Sequence, residues 1–297
     1  MTPRRRMLLV AHTGRPDVDI TARKVAATLA EAGIDLVAST DESRELGLNR
    51  FEPTDDGDGA TASIEMVLAI GGDGTLLRAA EQARPLSAPV LGINRGRVGF
   101  LTEVDVDHVD AGLQAIIDQR YRVSSRMTVQ VSVEHEGRFV TAGWALNEIS
   151  VEKVSRERIL DVVVEVDGHG VSAYGCDGVL CATPTGSTAY TFSAGGPVLW
   201  PGVDALLVAP SNAHALFARS LVVSPESTVT VHIDPAGPSA ILVCDGRRTQ
   251  EIPPGSRVHV CKGDKPVTLV RLGDQTFTDR LVRKFKLPVH GWRDQRH

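Results

Sequence analysis

Along the first third of the chain, short apolar runs alternate with stretches in which apolar side chains recur at helical spacing: Met7 to Ala11, then Ile20 to Ala32, Ile34 to Ala38, Met66 to Ile70 and Val90 to Ile93. That alternation is the rhythm of strands joined by crossover helices, and His108 to Asp118 is the last helix-like stretch before it ends. Glu42 to Ser63 breaks the rhythm. Rich in Asp, Gly, Glu and Thr without periodicity, it is expected to be a mobile, lid-like loop. From Arg122 onward the runs become short, alternating or β-branched, as in Thr128 to Glu134, Leu160 to Val166, Ser220 to Val223 and Thr228 to Ile233. Gly and Pro punctuate them at Asp167-Gly168, Gly195-Gly196-Pro197, Pro235 to Pro238 and Pro253-Pro254-Gly255, spacings that suit a β-sandwich. The expected fold class is therefore α/β plus all-β. Residues 1–120 form the α/β domain and 121–270 the sandwich; the tail 271–297, helical and basic over Arg280 to Phe285, packs back on the first domain.

Composition narrows the partners. Of 297 residues, 42% are hydrophobic but only 4% aromatic, which suits aliphatic cores. A net charge of −5 does not advertise nucleic acid or an anionic membrane, so a compact small molecule is the expected partner. No window approaches the roughly 18 uninterrupted apolar residues of a membrane span. Arg4-Arg5-Arg6 is expected to be a solvated tail, because Arg15 and Asp17 interrupt any signal-peptide core after it. The four cysteines, Cys176, Cys181, Cys244 and Cys261, lack C-x-x-C spacing, and the nine histidines form no H-E-x-x-H. Reduced core thiols, a cytoplasmic location and no structural metal are the corresponding expectations.

The most informative local feature is Gly71-Gly72-Asp73-Gly74-Thr75, set between the apolar run Met66 to Ile70 and the helix-like Leu76 to Glu81. It places a carboxylate in a glycine turn between strand and helix, where backbone amides face anions and a phosphate-bearing ligand comes close. No Gly-Lys pair occurs, which excludes a Walker A loop. Three further segments carry polar groups that cores do not need. Asn147-Glu148 interrupts the apolar strand Ala145 to Ser150, where adjacent residues face opposite sides. Asp177-Gly178 leads into Thr183-Pro184-Thr185-Gly186-Ser187-Thr188-Ala189-Tyr190, with Ser193 just beyond, a supply of hydroxyls, amides and an aromatic face suited to ribose and adenine. No Gly-x-Ser-x-Gly elbow frames Ser187, so hydrolase chemistry has little support. Cys244-Asp245-Gly246-Arg247-Arg248 has the form of an Asp-Gly hairpin turn.

Together, the G-G-D-G-T turn, the Asn-Glu pair, the T-P-T-G-S-T-A-Y segment and the downstream Asp-Gly, in this order, resemble the NAD kinase family. The resemblance implies a Rossmann-like N-terminal domain, a C-terminal β-sandwich, an active site between them and a homodimer or homotetramer. It implies that Asp73 is the catalytic carboxylate and that Gly74 helps hold the dinucleotide. Asn147 and Glu148 would hold the adenosine ribose or adenine, and Asp177 the nicotinamide end, often from a neighbouring subunit. Thr188, Ala189, Tyr190 and Ser193 would line the adenine side, with Thr191 and Phe192 between them. Arg78 and Arg158 are candidate phosphate partners, while Asp245 and Arg247 receive no role beyond a place near the site. The implied reaction moves the γ-phosphoryl of ATP, another triphosphate or polyphosphate, with magnesium, to the 2′-hydroxyl of the adenosine ribose of NAD, giving NADP. Lipid kinases share the G-G-D-G-T turn but need an apolar acceptor pocket, and a non-catalytic NAD or NADP sensor would share everything except the need for Asp73.

Overall fold

The computed structural model describes residues 5–50, 64–94, 99–155 and 157–289. The chain runs β1 Arg6–Ala11, α1 Pro16–Glu31, β2 Asp35–Ala38, α2 Thr40–Leu46, β3 Asn49–Arg50, β4 Ile64–Ile70, α3 Asp73–Leu86, β5 Val90–Asn94, β6 Val104–Asp105, α4 Val109–Ile117 and β7 Arg122–Arg126. It continues through β8 Val129–His135, β9 Arg138–Ala145, β10 Glu148–Lys153, β11 Leu160–Val166, β12 His169–Cys176, β13 Gly178–Ala182, α5 Tyr190–Ser193, β14 Leu206–Ser211, β15 Leu221–Val223, β16 Val229–Ile233, β17 Ala240–Cys244, β18 Arg248–Ile252 and β19 Arg257–Lys262. It closes with β20 Val267–Arg271 and α6 Phe277–Phe285.

Two compact units result, Met1–Ser125 with Val267–His297, and Arg126–Pro266. The first is built on one sheet of order β3-β2-β1-β4-β5-β20-β7, with β6 also on β5. Strands β1, β2, β4 and β5 pair in parallel, which explains why they are continuous apolar runs: a parallel sheet covered by helices is buried on both faces. Met7, Leu9, Leu68 and Ile70 meet Val18, Val25, Leu29 of α1 and Leu113, Ile116 of α4, while α3 packs Leu76, Ala79, Ala80 and Ala83 against the sheet. The chain returns to this sheet through β20, paired in parallel with β5 at Leu269 and Val90, so the C-terminal segment supplies a strand as well as a helix.

The second unit is two antiparallel sheets, β15-β14-β13-β10-β17-β18 and β12-β11-β16-β19-β8-β9. Val131, Val133, Val162, Val164, Val231 and Val258 of one sheet pack with Ile149, Val151, Val179, Cys181, Val208 and Leu242 of the other. The alternation read from the sequence is the inward and outward pleat of these strands.

Two expectations are corrected. Glu42 to Ser63 is not a loop throughout: Thr40–Leu46 is helix α2, ended by Gly47 in the left-handed conformation, and Asn49–Arg50 is a strand; residues 51–63 lie outside those described. Composition misleads because the Glu42 carboxylate is buried, accepting from Ala11 N, Ser39 Oγ and Arg78 Nη2. Nor is Arg5 a solvated residue. Its guanidinium clasps Glu65 through two bonds, at 2.7 and 2.8 Å, and donates to the carbonyls of Ile116 and Ile117 that end α4. Arg6 begins β1.

Candidate active site

In the first unit, β4 delivers the chain to Gly71 and Gly72, and α3 begins at Asp73. A Cβ on Gly71 would lie 2.3 Å from Thr75 Oγ1, so the turn closes only with glycine there, whereas at Gly72 and Gly74 it would meet nothing within 4 Å. The open side of these two glycines leaves backbone accessible at a helix start, the arrangement that favours anions. A cavity of about 330 Å³ lies against the turn, lined by His12, Arg15, Asp17, Gly71, Gly72, Thr75 and Asn94 among others. The partly exposed Asp73 carboxylate accepts from Phe100 N on Oδ2 and Leu101 N on Oδ1, each at 3.2 Å. Gly99 permits this, because a Cβ there would sit 2.4 Å from Oδ1. Arg78, one turn along α3, spends its guanidinium on Glu42 and the Ala11 carbonyl, leaving a third of its side chain exposed.

In the second unit, Asn147 is not within a strand as the sequence suggests. Leu146 and Asn147 form the bend by which the chain leaves β9 for β10, in the other sheet. Asp245 shapes that bend. Buried at the β17–β18 hairpin with φ of 53°, it accepts from Leu146 N at 3.0 Å and Asn147 N at 2.7 Å, and pairs with Arg248 at 2.8 Å. Thr183 secures the other side, its amide bonding the Asn147 carbonyl and its hydroxyl the Leu146 carbonyl. Gly186 crosses so close that a Cβ would stand 2.0 Å from the Asn147 carbonyl oxygen.

Glu148, beside this bend, is buried. Burial first, and then the neighbouring Asp245 charge, push its carboxyl up to about 8, against the opposing bond from the Tyr190 amide. At neutral pH it is therefore largely protonated, and its buried Oε2 has no protein partner. Such a group offers a ligand hydroxyl both a donor and an acceptor.

The Thr183–Ser193 segment divides by function. Ser187 and Thr191 are fully buried, with their hydroxyls on the Pro184 and Gly186 carbonyls, so they hold the turn together. Tyr190, Phe192 and Ser193 are exposed, and Thr188 and Ala189 partly so. Arg158 sits exposed between β10 and β11. Asp177 lies away from the Asn147–Glu148 bend. Glu148 pairs with Ala182 and Glu152 with Gly178, so the five-residue β13 separates Asp177 from Glu148 by roughly 16 Å at 3.3 Å per residue. Its carboxyl, bonded by Lys153 and Asn212, is held below the usual carboxylate range.

Residues 7–121 match the ATP-NAD kinase N-terminal domain family, and residues 146–272 its C-terminal domain counterpart. The chain belongs to the NAD kinase family. It is 53% identical to the NAD kinase of Nocardia farcinica over 98% of this chain and 94% of that protein, and 51% identical to that of Mycobacterium tuberculosis over 99% of each. Among solved structures, the Archaeoglobus fulgidus NAD kinase in complex with ATP aligns with a TM-score of 0.73 and 25% identity over 95% of this chain and 99% of that one. Yeast NADH kinase complexed with NADH shares the fold, with a TM-score of 0.84 at 20% identity, over 98% of this chain and 90% of that one. As an NAD kinase, the chain phosphorylates NAD to NADP.

Asp245 is the positioning group that sequence reasoning left without a role. The Asp-Gly turn was visible, but its partners lie 98 and 99 residues away. None of the four cysteines is in a disulfide; burial pushes the Cys176 and Cys181 thiols up to about 12, which leaves them inert. Among the described residues, no helix is long and apolar enough to cross a membrane.

Proposed function

We propose that the phosphoryl group passes from the γ-position of ATP to the 2′-hydroxyl of the adenosine ribose, with Asp73 as the proton acceptor. One observation carries this reading: a partly exposed carboxylate stands at the glycine turn that begins α3, both oxygens oriented by backbone amides. A secondary hydroxyl is a poor nucleophile, and a carboxylate within reach takes or orients its proton as the loose phosphoryl transition state forms. Backbone dipoles at the start of α3 meet the charge of the transferring group, and preorganised contacts of this kind are worth roughly 3 to 4 kcal/mol.

Magnesium enters with the donor, as the counter-ion of the triphosphate. Asn147, the protonated Glu148 and the exposed faces of Thr188, Ala189, Tyr190, Phe192 and Ser193 take the adenosine. Gly74 lets the dinucleotide approach the turn, and Arg158 and the open part of Arg78 serve phosphate. Asp177 serves the nicotinamide end of the site in a second copy of the chain, a homodimer or homotetramer in the cytoplasm; its separation from Glu148 supports that reading. The test is a coupled assay of NADP formation with ATP, GTP and polyphosphate beside Asp73→Asn. That variant is expected to keep the fold and lose at least about a hundredfold in turnover, and near-normal turnover removes Asp73 from the mechanism.

A further inference from the structure

We infer that Arg280, on the C-terminal helix α6, is a positioning residue for the phosphoryl transfer, acting on Asp73 through the segment Gly99 to Thr102. The inference rests on the reading of Asp73 as proton acceptor. Both Asp73 oxygens depend on amides of this segment at 3.2 Å, near the long end of the hydrogen-bond range, so a small displacement of the segment releases the carboxylate.

The far side of the same segment belongs to α6. Arg280 Nη1 donates to the carbonyls of Thr102 and Phe100, and Nη2 pairs with Glu103 at 2.5 Å. The Phe100 ring lies 5.8 Å from the rings of both Phe277 and Phe285, at the two ends of α6. Glu103 also holds Arg271 at 2.7 Å and the Leu272 amide at 3.1 Å, which ties β20 to the same point. Arg280 is 4% exposed.

The three phenylalanines pack α6 against the segment. The guanidinium does something more specific. The Phe100 carbonyl and the Leu101 amide are one peptide group, whose carbonyl faces Arg280 Nη1 at 3.4 Å and whose amide donates to Asp73 at 3.2 Å. By holding the carbonyls of Phe100 and Thr102, on either side of Leu101, the guanidinium fixes where the Leu101 amide points. The C-terminal segment thereby completes a site whose acidic group lies more than two hundred residues earlier in the chain.

The test compares Arg280→Met, Arg280→Lys and Arg283→Met, the last removing an exposed cation of the same helix that pairs with Asp105 at 3.5 Å. Turnover of Arg280→Met should fall roughly tenfold, since misplacement by a fraction of an ångström is felt in the chemical step. Its Michaelis constant for NAD should stay within about twofold of the parent, as expected when only transition-state interactions are lost. Arg280→Lys should recover part of the loss, and Arg283→Met should match the parent. In the Asp73→Asn background, Arg280→Met should slow the enzyme no further. An unchanged turnover in folded Arg280→Met, or a loss that multiplies with that of Asp73→Asn, overturns the inference while leaving Asp73 in place. If Arg280→Met does not fold, the same cycle run with Arg280→Gln, which also removes the cation, decides by the same two criteria. A near-normal Asp73→Asn enzyme overturns both this inference and the reading of Asp73 beneath it.

Discussion

Replacing Glu148 by Gln should stabilise this protein at neutral pH while impairing it as an enzyme. The carboxyl titrates near 8 in the folded chain and near 4.5 when unfolded. Because its folded value is the higher one, its contribution to stability is complete below about pH 4.5 and is lost as pH rises through about 8. Between these limits the parent should lose about 1.4 kcal/mol per pH unit at this residue, and roughly 5 kcal/mol across the whole interval, since one pK unit is about 1.4 kcal/mol. Gln has the same shape and no titration, so the variant escapes the slope. Urea unfolding followed by circular dichroism at pH 5, 6.5 and 8 should show the two proteins within about 1 kcal/mol of each other at the lowest pH. At pH 8 Glu148→Gln should be the more stable by several kcal/mol, the sign expected when a site sacrifices stability for function. Its kcat/KM for NAD should nevertheless fall, because the amide nitrogen of Gln at the Oε2 position only donates, whereas the carboxyl O–H there both donates and accepts. Parallel stability curves from pH 5 to 8 would refute the reasoning, since they would mean that Glu148 is as free to ionise in the folded chain as in water.

Gly186→Ala places a methyl carbon against the Asn147 carbonyl and should cost about 3 kcal/mol, seen as a fall of roughly 6 to 12 °C in melting temperature; an unchanged melting curve would show that the bend is not packed as described. Asp177→Ala should raise the Michaelis constant for NAD at least about tenfold, as the loss of a charged hydrogen bond of about 1.5 kcal/mol or more requires, and leave that for ATP unchanged. Equal shifts in both constants would count against a nicotinamide-side role.

Several features were legible in the residues because they are local. The turn at Asp73 is legible because glycine spacing and the switch from an apolar run to helical periodicity lie within a dozen residues. Strands β1, β4 and β5 are legible because a strand buried on both faces has no polar positions to disguise it. The misread residues have partners far along the chain. Glu42 and Arg5 look solvated by composition, yet Glu42 is satisfied by Ala11 and Arg78, and Arg5 by Glu65 and the end of α4. Asn147 appears to interrupt a strand because its run is apolar on both sides, whereas the chain there is changing sheets.

The residues alone determined the alternation of strand and helix around β1, β4 and β5, the change from α/β to all-β, and the chemical groups available for phosphoryl transfer, because backbone preference and hydrophobic period act over a few neighbouring positions. Only the tertiary structure decided which polar groups are consumed in holding the fold and which remain for a ligand. Ser187 and Thr191 are spent on their own turn, Tyr190 and Ser193 are not, and Asp245 and Arg280 position what the active site uses. That division follows from burial, since a polar group taken out of water must find a partner wherever the sheet register and the return of the chain bring one.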